Sequence, residues 1–481
     1  MKILKTVLLV LLCLVLAVSP IVIPLVGVMV MPPQYEHTYL GALDEKFERL
    51  NSITDPKIIL VGGSSVAFGV DSEKLEEYTG MPVVNFGLYA ALGTKLMLDL
   101  SRSGINKGDI VIISPEMNSQ TMSLYFSSSS TYKAVDCDYS MLNYVKAADK
   151  FKMLGGAWDF FLEKLEFYKK QKQGYADGQD GIYRSSYFDQ YGDFDYPREE
   201  NVMHGYYDRN TPVRLNDTIF DEDYCEFVEY LNEYIAYARL KGAEVYFDYC
   251  PINELALLDS NSDSIEKVDR KIRADIKCRV IGALDKAVME AGYFFDTNFH
   301  LNDAGRVAKT VLLARNIRLA YGITEGIITT EIPEAPELPF DPYFDGEDEN
   351  AEYFLFEEVE GTYTIVGLSE KGRKKQELTV PLGYEGLKVT AIAKGAFKSS
   401  NLKSLTVTVD SNLRTIGNGA FEGATALSHL WIYKTTGDDI TPPTSFFGVS
   451  RDFVVHVPEG SDFAHHYFWS ERGVKFVFDA K

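Results

Sequence analysis

Two adjacent serines, Ser64 and Ser65, stand in this sequence where a hydroxyl group can do chemistry. The preceding residues 58–61 are apolar and rich in β-branched side chains, which is typical of a buried parallel strand. Gly62 and Gly63 then let the chain turn sharply. In open α/β sheets, ligands and reacting groups collect at the carboxyl ends of the strands. The pair is therefore predicted to lie at a reactive sheet edge, although Gly-Gly-Ser-Ser is also consistent with a simple turn.

A serine hydroxyl is a poor nucleophile unless a base removes its proton, and that base is usually a histidine held by a carboxylate. The candidates are His204 and His300, with His37 close to the amino terminus. His204 lies in a polar stretch with no strand before it. His300 follows the last predicted strand, at the same end of the sheet as Ser65. We therefore expect His300 to be the base.

The acid that orients this histidine is predicted to be Asp296, four residues earlier. Asn298 and Asp303 are weaker candidates for the same role. The alternative interpretation of His300 is that it merely caps the final helix.

The elements that must position these residues alternate between strand and helix over residues 57–324. The predicted strands are 58–61, 82–86, 109–114, 244–249 and 293–295, and the longer predicted helices are 94–103, 222–240, 263–291 and 302–321. This alternation predicts a parallel sheet with right-handed crossovers, in a three-layer α/β sandwich of flavodoxin type. Residues 119–221 form a predicted insertion, whose aromatic side chains could stack on sugars or pack onto the core.

The segment Gly63-Ser-Ser-Val-Ala-Phe-Gly69 resembles the first block of the SGNH (GDSL) hydrolases, Gly-Asp-Ser-x-x-x-Gly, with Ser64 in place of the aspartate. Val84-Asn-Phe-Gly87 is similar to the second block. The stretch from Asp296 to His300 is similar to the last block, Asp-x-x-His, but contains one residue more. The resemblance covers about residues 57–321, and the Gly-Ser-Ser form looks like the cell-envelope acyl-transfer branch of the superfamily.

The resemblance implies particular roles for five residues. The catalytic triad would be Ser65, His300 and Asp296. The oxyanion hole would consist of the Ser65 N–H, Gly87 and a third-block asparagine, here Asn118. The third block of the family is usually Gly-x-Asn-Asp, and Pro115-Glu116 interrupts that pattern in this chain. Donors aimed at an oxyanion stabilise the tetrahedral intermediate of acyl transfer. The family resemblance implies no metal and no organic cofactor.

A short sequence motif is repeated in the carboxyl-terminal part of the chain. Residues 389–397 and 413–421 both end in Gly-Ala-Phe, about 24 residues apart, and a degraded third copy ends near Phe446. Self-similarity at this period predicts a solenoid. Residues 353–481 resemble the BspA-like leucine-rich repeats of bacterial surface proteins. The preceding residues 325–352 carry prolines and acids, which predicts an extended, solvated linker.

The amino terminus carries a charge-free run, residues 6–31, preceded by Lys2 and Lys5. About 20 apolar residues span a bilayer, and a positive flank stays in the cytoplasm. We therefore expect a signal anchor, a transmembrane helix over residues 1–33, followed by a stalk over 34–56. The domains beyond it would be extracellular, at the cell membrane. A cleaved signal peptide is the alternative.

Composition narrows the function classes. The net charge of −22 argues against nucleic acid as a partner. The five cysteines have no Cys-x-x-Cys spacing, which argues against a zinc site or a dense disulfide framework.

Together with the resemblance, these features predict a membrane-anchored extracytoplasmic serine esterase or O-acyltransferase. Its substrates would be acyl esters, acetyl esters in our interpretation, of cell-envelope polysaccharide or another acylated glycan. A membrane acyltransferase would be the partner that delivers the acyl group. The alternative is a non-catalytic surface adhesion protein, in which the repeats bind a ligand and the SGNH domain is degenerate.

Overall fold

The computed structural model describes residues 2–171, 182–199, 201, 212–323, 328–338, 348–359, 362–385, 387–398, 400–470 and 472–480. The described residues form two compact units, one ending at Glu337 and the other beginning at Leu338. This division falls inside the segment 325–352 that was predicted to be a linker. The chain is mixed α/β, and parallel strand pairs dominate both units.

The first unit alternates strands and helices after an amino-terminal helix. Its helices are α1 (Lys2–Val30), α2 (Leu43–Ser52), α3 (Ser64–Gly69), α4 (Ser72–Thr79), α5 (Thr94–Ser101), α6 (Ser128–Ala134), α7 (Ala147–Gln171), α8 (Glu222–Leu240), α9 (Ser262–Asp275), α10 (Leu284–Ala287) and α11 (Asp303–Tyr321). Its strands are β1 (Ile58–Gly62), β2 (Val83–Asn85), β3 (Ile110–Ser114), β4 (Glu244–Phe247), β5 (Ile252–Asn253), β6 (Arg279–Val280) and β7 (Val288–Met289).

The main sheet has the order β2-β1-β3-β4-β6 and is parallel throughout. β1 and β3 are buried along their whole length, which explains why both are apolar without alternation. They are direct neighbours, and Gly62 at the end of β1 pairs with Ser114 at the end of β3. The loops that follow these two strands therefore leave the sheet side by side.

The long helix predicted over residues 263–291 is wrong. The structure has α9 up to Asp275, the edge strand β6, and then the short α10. The apolar residues that suggested one helix recur every four positions from Val268 to Val288. Such a spacing rotates by about 40° per step around a helix of 3.6 residues per turn, so it leaves one face within a few turns. The fifth strand of the sheet is β6, and the predicted strand at 293–295 begins instead in a 3₁₀ turn, Ala291–Tyr293.

The amino-terminal helix α1 packs in its second half against α7, where Gly27 lies against the ring of Phe161. Within the part of the chain that the structure describes, no helix has the length and apolarity needed to cross a membrane. The signal anchor expected over residues 1–33 remains a prediction from the sequence.

The second unit is built mainly of strands. They are β8 (Phe354–Val359), β9 (Thr362–Leu368), β10 (Glu377–Thr379), β11 (Gly383–Tyr384), β12 (Leu387–Ile392), β13 (Ser404–Val407), β14 (Thr415–Ile416), β15 (His429–Ile432), β16 (Val454–Pro458) and β17 (Lys475–Ala480), with one short helix, α12 (Tyr467–Ser470). β10, β13, β15, β16 and β17 form a parallel sheet in chain order. Each repeat therefore adds one strand beside the previous one.

The repeated phenylalanines form a column inside the second unit. The ring of Phe421 stacks on Phe397 at 5.6 Å between centroids and on Phe446 at 5.7 Å. All three side chains are buried. The sequence repeat is thus a packing repeat, because equivalent side chains of successive copies meet each other.

The first part of the predicted linker contacts the first unit. Tyr78 and Thr330 share a hydrogen bond of 2.7 Å between their hydroxyl groups, and the Tyr293 hydroxyl donates to the carbonyl of Pro333 at 2.6 Å. These contacts explain why the described residues up to Glu337 belong to the first unit. Residues 328–336 are exposed or half-buried, and hydrogen bonds join this part of the predicted linker to the first unit.

Lys434 makes the free energy of unfolding of the second unit depend on pH. Its ammonium group is buried and donates to the carbonyl of Val409 at 2.7 Å. Burial lowers the pKa of Lys434 from 10.5 to about 8. In the window from about pH 8 to about 10.5, the unfolded chain holds more protons at this position than the folded chain does. The free energy of unfolding therefore rises with pH across that window.

We expect Lys434→Met to remove this rise, a change of at most about 3 kcal/mol across the window. Denaturant unfolding of the second unit at about pH 8 and about pH 10 measures it. Lys403→Met is the control, because Lys403 is exposed. Equal pH slopes for wild type and Lys434→Met would contradict the assignment.

Candidate active site at the carboxyl ends of β1 and β3

Ser65 lies in the first turn of α3, directly after β1 and the glycine turn. It is 1% exposed, and among the described residues its hydroxyl oxygen has no hydrogen-bond partner. A Cβ atom on Gly63 would lie 2.9 Å from a carboxylate oxygen of Glu116. The Glu116 side chain, from the loop after β3, therefore lies close to this turn. The serine hydroxyl is thus buried at the sheet edge and uncommitted to the fold.

His300 and Asp296 are in direct contact. The Nδ1 atom of His300 lies 2.8 Å from Asp296 Oδ1. The four-residue spacing works because the segment folds back on itself, with Phe294 bridged to Leu301 in an antiparallel pair. The Tyr183 hydroxyl donates to the other carboxylate oxygen of Asp296. Asp296 is therefore held from two sides, and the carboxylate in turn fixes the orientation of the imidazole ring.

Phe68 connects this pair to the serine helix. Its ring stacks on the His300 ring at 3.9 Å between centroids and 11° between planes. Phe68 follows Ser65 by three residues on α3, so the two side chains share a helix face. His300 consequently lies against the helix face that carries Ser65. No hydrogen bond joins the Ser65 hydroxyl to His300 among the described residues, and such bonds are often long before substrate binds.

Arg198, from the insertion, links the helix that carries Ser65 to the segment that carries His300. Its buried guanidinium donates to the carbonyls of Phe68 at 2.9 Å, Leu301 at 2.8 Å and Phe194 at 2.7 Å. Burial lowers the pKa of Arg198 to about 10. Phe194 stacks on Phe68 at 4.2 Å. At this position the aromatic insertion packs onto the core, which was one of the two interpretations left open by the sequence.

Glu116, in the loop after β3, accepts hydrogen bonds from the Ser64–Ser65 turn. Its Oε1 atom accepts from the Ser65 N–H at 3.1 Å and from the Ser64 hydroxyl at 3.1 Å. Its Oε2 atom lies 3.5 Å from Asn118 Nδ2. Burial, followed by the charges of Glu116 and Asp296, raises the pKa of the Tyr39 hydroxyl well above its usual value. Glu116 and Asp296 thus both act on the Tyr39 hydroxyl.

Gly87 is placed differently from the other predicted donors. Its N–H donates to the side chain of Asn85 at 3.1 Å. Asn85 in turn donates to Asp193 at 2.7 Å, and burial raises the pKa of that carboxyl group to about 6. The structure therefore brings together the Ser65 N–H and Asn118, whereas the Gly87 N–H is engaged by its own loop.

Of the two weaker candidates for the orienting acid, Asp303 is engaged elsewhere, because its carboxylate accepts from the backbone N–H of Arg198 at 3.0 Å. Asn298 is buried, and its backbone carbonyl accepts from the backbone N–H of Asn253 at 3.0 Å. The position of His204 lies outside the described residues. Among the described residues, no group of three or more His, Cys, Asp or Glu side chains could hold a metal ion.

Sequence reasoning missed four residues of this site, namely Phe68, Glu116, Tyr183 and Arg198. Only Glu116 left a signal, because Pro115-Glu116 interrupts the third block of the family resemblance. The other three act through contacts between segments far apart in the chain. A pattern within one segment cannot reveal such contacts.

No protein-family model matches the chain, and no curated protein matches it. Among solved structures, the chain is similar to a leucine-rich repeat protein from Bacteroides capillosus, with 18% sequence identity over 26% of this chain and 95% of that chain, at a TM-score of 0.17.

Proposed function

We propose that the first unit is a serine esterase or O-acyltransferase of SGNH type. The observation that carries the proposal is the His300–Asp296 pair, joined at 2.8 Å and stacked through Phe68 on the helix of Ser65. A base oriented by a carboxylate beside a buried, uncommitted hydroxyl is the arrangement that nucleophilic acyl transfer needs.

In the proposed reaction, Ser65 Oγ attacks the carbonyl carbon of an ester, and its proton passes to His300. Asp296 stabilises the imidazolium that forms. The departing alcohol takes this proton, which leaves an acyl group on Ser65. Water then completes hydrolysis, or a sugar hydroxyl completes transfer, with His300 as the base in either case. The donors proposed for the oxyanion are the serine N–H and Asn118, both of which contact Glu116 in the structure.

The proposed substrate is an acyl ester, such as acetyl, on cell-envelope polysaccharide. The second unit supports a polymeric ligand, since Thr379, Thr406 and Trp431 stand in register on one sheet face. They line a groove of about 500 Å³. The Trp431 ring stacks on His456 at 3.7 Å between centroids, so a sugar could stack only on the opposite side of the ring. We propose that this unit is a solenoid of leucine-rich-repeat type. Membrane anchoring, extracellular placement and a partner acyltransferase remain proposals that rest on the sequence.

The second candidate function is that of a surface adhesion protein with an inactive first unit. One observation favours it: Glu116 takes up the Ser65 N–H that an oxyanion would need. Activity on a simple ester separates the two candidates. The purified chain should hydrolyse 4-nitrophenyl acetate if the first candidate is correct, and absence of turnover would favour the second.

Tyr183→Phe tests the role of the Asp296 carboxylate in that activity. The variant loses one hydrogen bond to a charged group, so we expect kcat/KM to fall by about tenfold or somewhat more. Tyr187→Phe is the control, since Tyr187 lies in the same aromatic cluster and contacts Phe194 and Tyr196 by its ring. Steady-state kinetics on 4-nitrophenyl acetate measure both. An unchanged kcat/KM in Tyr183→Phe would show that Asp296 needs no such support.

A further inference from the structure

Glu116 is a buried carboxylate without an ionic partner among the described residues. It is 3% exposed, and none of the described Lys, Arg or His side chains forms a salt bridge with it. A buried charge is costly unless hydrogen bonds compensate it. The compensation here comes from the Ser64 hydroxyl, the Ser65 N–H and the amide of Asn118. The pocket beside Ser65 therefore already stabilises a negatively charged oxygen.

These donors are the ones that an acyl-transfer reaction would use. A helix leaves its first N–H groups without partners inside the helix, so the Ser65 N–H needs an external acceptor. An oxyanion hole requires such donors about 2.7–3.1 Å from the reacting oxygen. Glu116 Oε1 lies 3.1 Å from the Ser65 nitrogen, at the outer end of that range. A substrate oxygen and Glu116 cannot both occupy this position.

Hydrogen bonds within the loop that carries Glu116 fix its conformation, and this conformation directs the carboxylate into the pocket. The Glu116 carbonyl accepts from the Asn118 N–H at 2.9 Å and from the Thr121 hydroxyl. The side-chain oxygen of Asn118 accepts from the N–H groups of Gln120 and Thr121, each at 3.0 Å. Asn118 is thereby oriented with its amide nitrogen towards Glu116.

We propose that this pocket is a carboxylate- and oxyanion-binding site, that Glu116 fills it in the resting protein, and that an acyl ester reacts only when Glu116 withdraws. The inference rests on the proposed function and adds a gate to it. Ser64, which replaces the aspartate of the family motif, then has a physical role, because its hydroxyl helps to hold the gate closed.

Covalent labelling of the full chain by a fluorophosphonate tests the gate. Ser65 Oγ attacks phosphorus, the P–F bond breaks, fluoride leaves, and the serine proton passes to His300. The phosphoryl oxygen must then occupy the position that Glu116 holds. We expect Glu116→Ala to label at Ser65 on the order of tenfold faster than wild type or more, because a donor is freed.

A second readout tests the pocket itself. Acetate should slow labelling of Glu116→Ala, since a small carboxylate can replace the missing side chain, and it should leave wild type unaffected. Glu116→Gln keeps the size of the side chain and removes its charge, so it should also label faster than wild type. It decides the question if Glu116→Ala does not fold. Glu229→Ala, at an exposed position on α8, controls for the loss of one negative charge.

The outcomes separate the gate from the proposed function. Equal labelling of Ser65 in wild type and in folded Glu116 variants would overturn the gate and leave the esterase assignment standing. Slower labelling in these variants would also overturn it, because Glu116 would then support Ser65. If no folded variant is labelled at Ser65, the proposed function itself is wrong.

Discussion

Ser65→Ala is expected to reduce ester hydrolysis by about a thousandfold or more, because the covalent route disappears with the hydroxyl group. The fold should tolerate the change. The Ser65 hydroxyl makes no hydrogen bond among the described residues, so its removal leaves no buried partner unsatisfied. Initial rates on 4-nitrophenyl acetate and a thermal unfolding curve, measured on the same preparation, test both statements.

Ser64→Ala is the matched control, because the two serines are adjacent, buried and of equal size. Ser64 donates to Glu116, and the loss of that one hydrogen bond should change the rate by no more than about tenfold. Activity that survives in Ser65→Ala and disappears in Ser64→Ala would exchange the roles of the two residues. Peptide mapping after fluorophosphonate treatment gives an independent assignment of the labelled serine.

The sequence predicted the strands whose ends meet at the site, because apolar runs such as those of β1 and β3 are visible in a sequence. Ser65 lies beside Glu116 because these two strands are buried parallel neighbours, but the role of Glu116 was missed. The Asp296–His300 contact was harder to predict from the sequence. It depends on the fold-back that pairs Phe294 with Leu301, and no periodicity encodes that loop. The family spacing was one residue shorter, and the loop absorbs the difference.

The predictions that differ from the structure do so for identifiable physical reasons. A four-residue apolar spacing suggested one helix across residues that instead form α9, β6 and α10. The role of Arg198 could not be predicted, because it consists of hydrogen bonds to three carbonyl groups from distant segments of the chain. Gly87 was identified from its motif, but the direction of its N–H is set by the Asn85 side chain. Residue types and spacing constrain which groups come close, and local hydrogen bonds decide where each donor points.

Phe421→Ala is expected to lower the free energy of unfolding of the second unit by about 3–5 kcal/mol. Its ring is 1% exposed and stacks between Phe397 and Phe446, so truncation leaves a cavity in the middle of the column. Neighbouring rings cannot close such a gap without leaving their own places in the repeat. The loss is large relative to the 5–15 kcal/mol by which native proteins are usually stable.

Tryptophan emission can follow this unfolding in the full chain. Two of the three tryptophans, Trp431 and Trp469, belong to the second unit, and Trp469 is fully buried within 6.1 Å of the Phe446 ring. Phe447→Ala is the control, because Phe447 is 79% exposed and follows Phe446 directly. It should leave the unfolding midpoint almost unchanged. A loss of less than about 1 kcal/mol in Phe421→Ala would mean that the column does not carry the core.

The same variant also tests whether the two units are energetically separate. Ser65, His300 and Asp296 all lie in the first unit, which has its own buried sheet. Unfolding of the second unit should therefore leave turnover of a small ester intact, while binding of a polysaccharide through the groove lined by Trp431 is lost. If Phe421→Ala abolishes turnover of the small ester as well, the second unit supports the fold of the site. Its repeats would then be part of the enzyme and not an attached binding module.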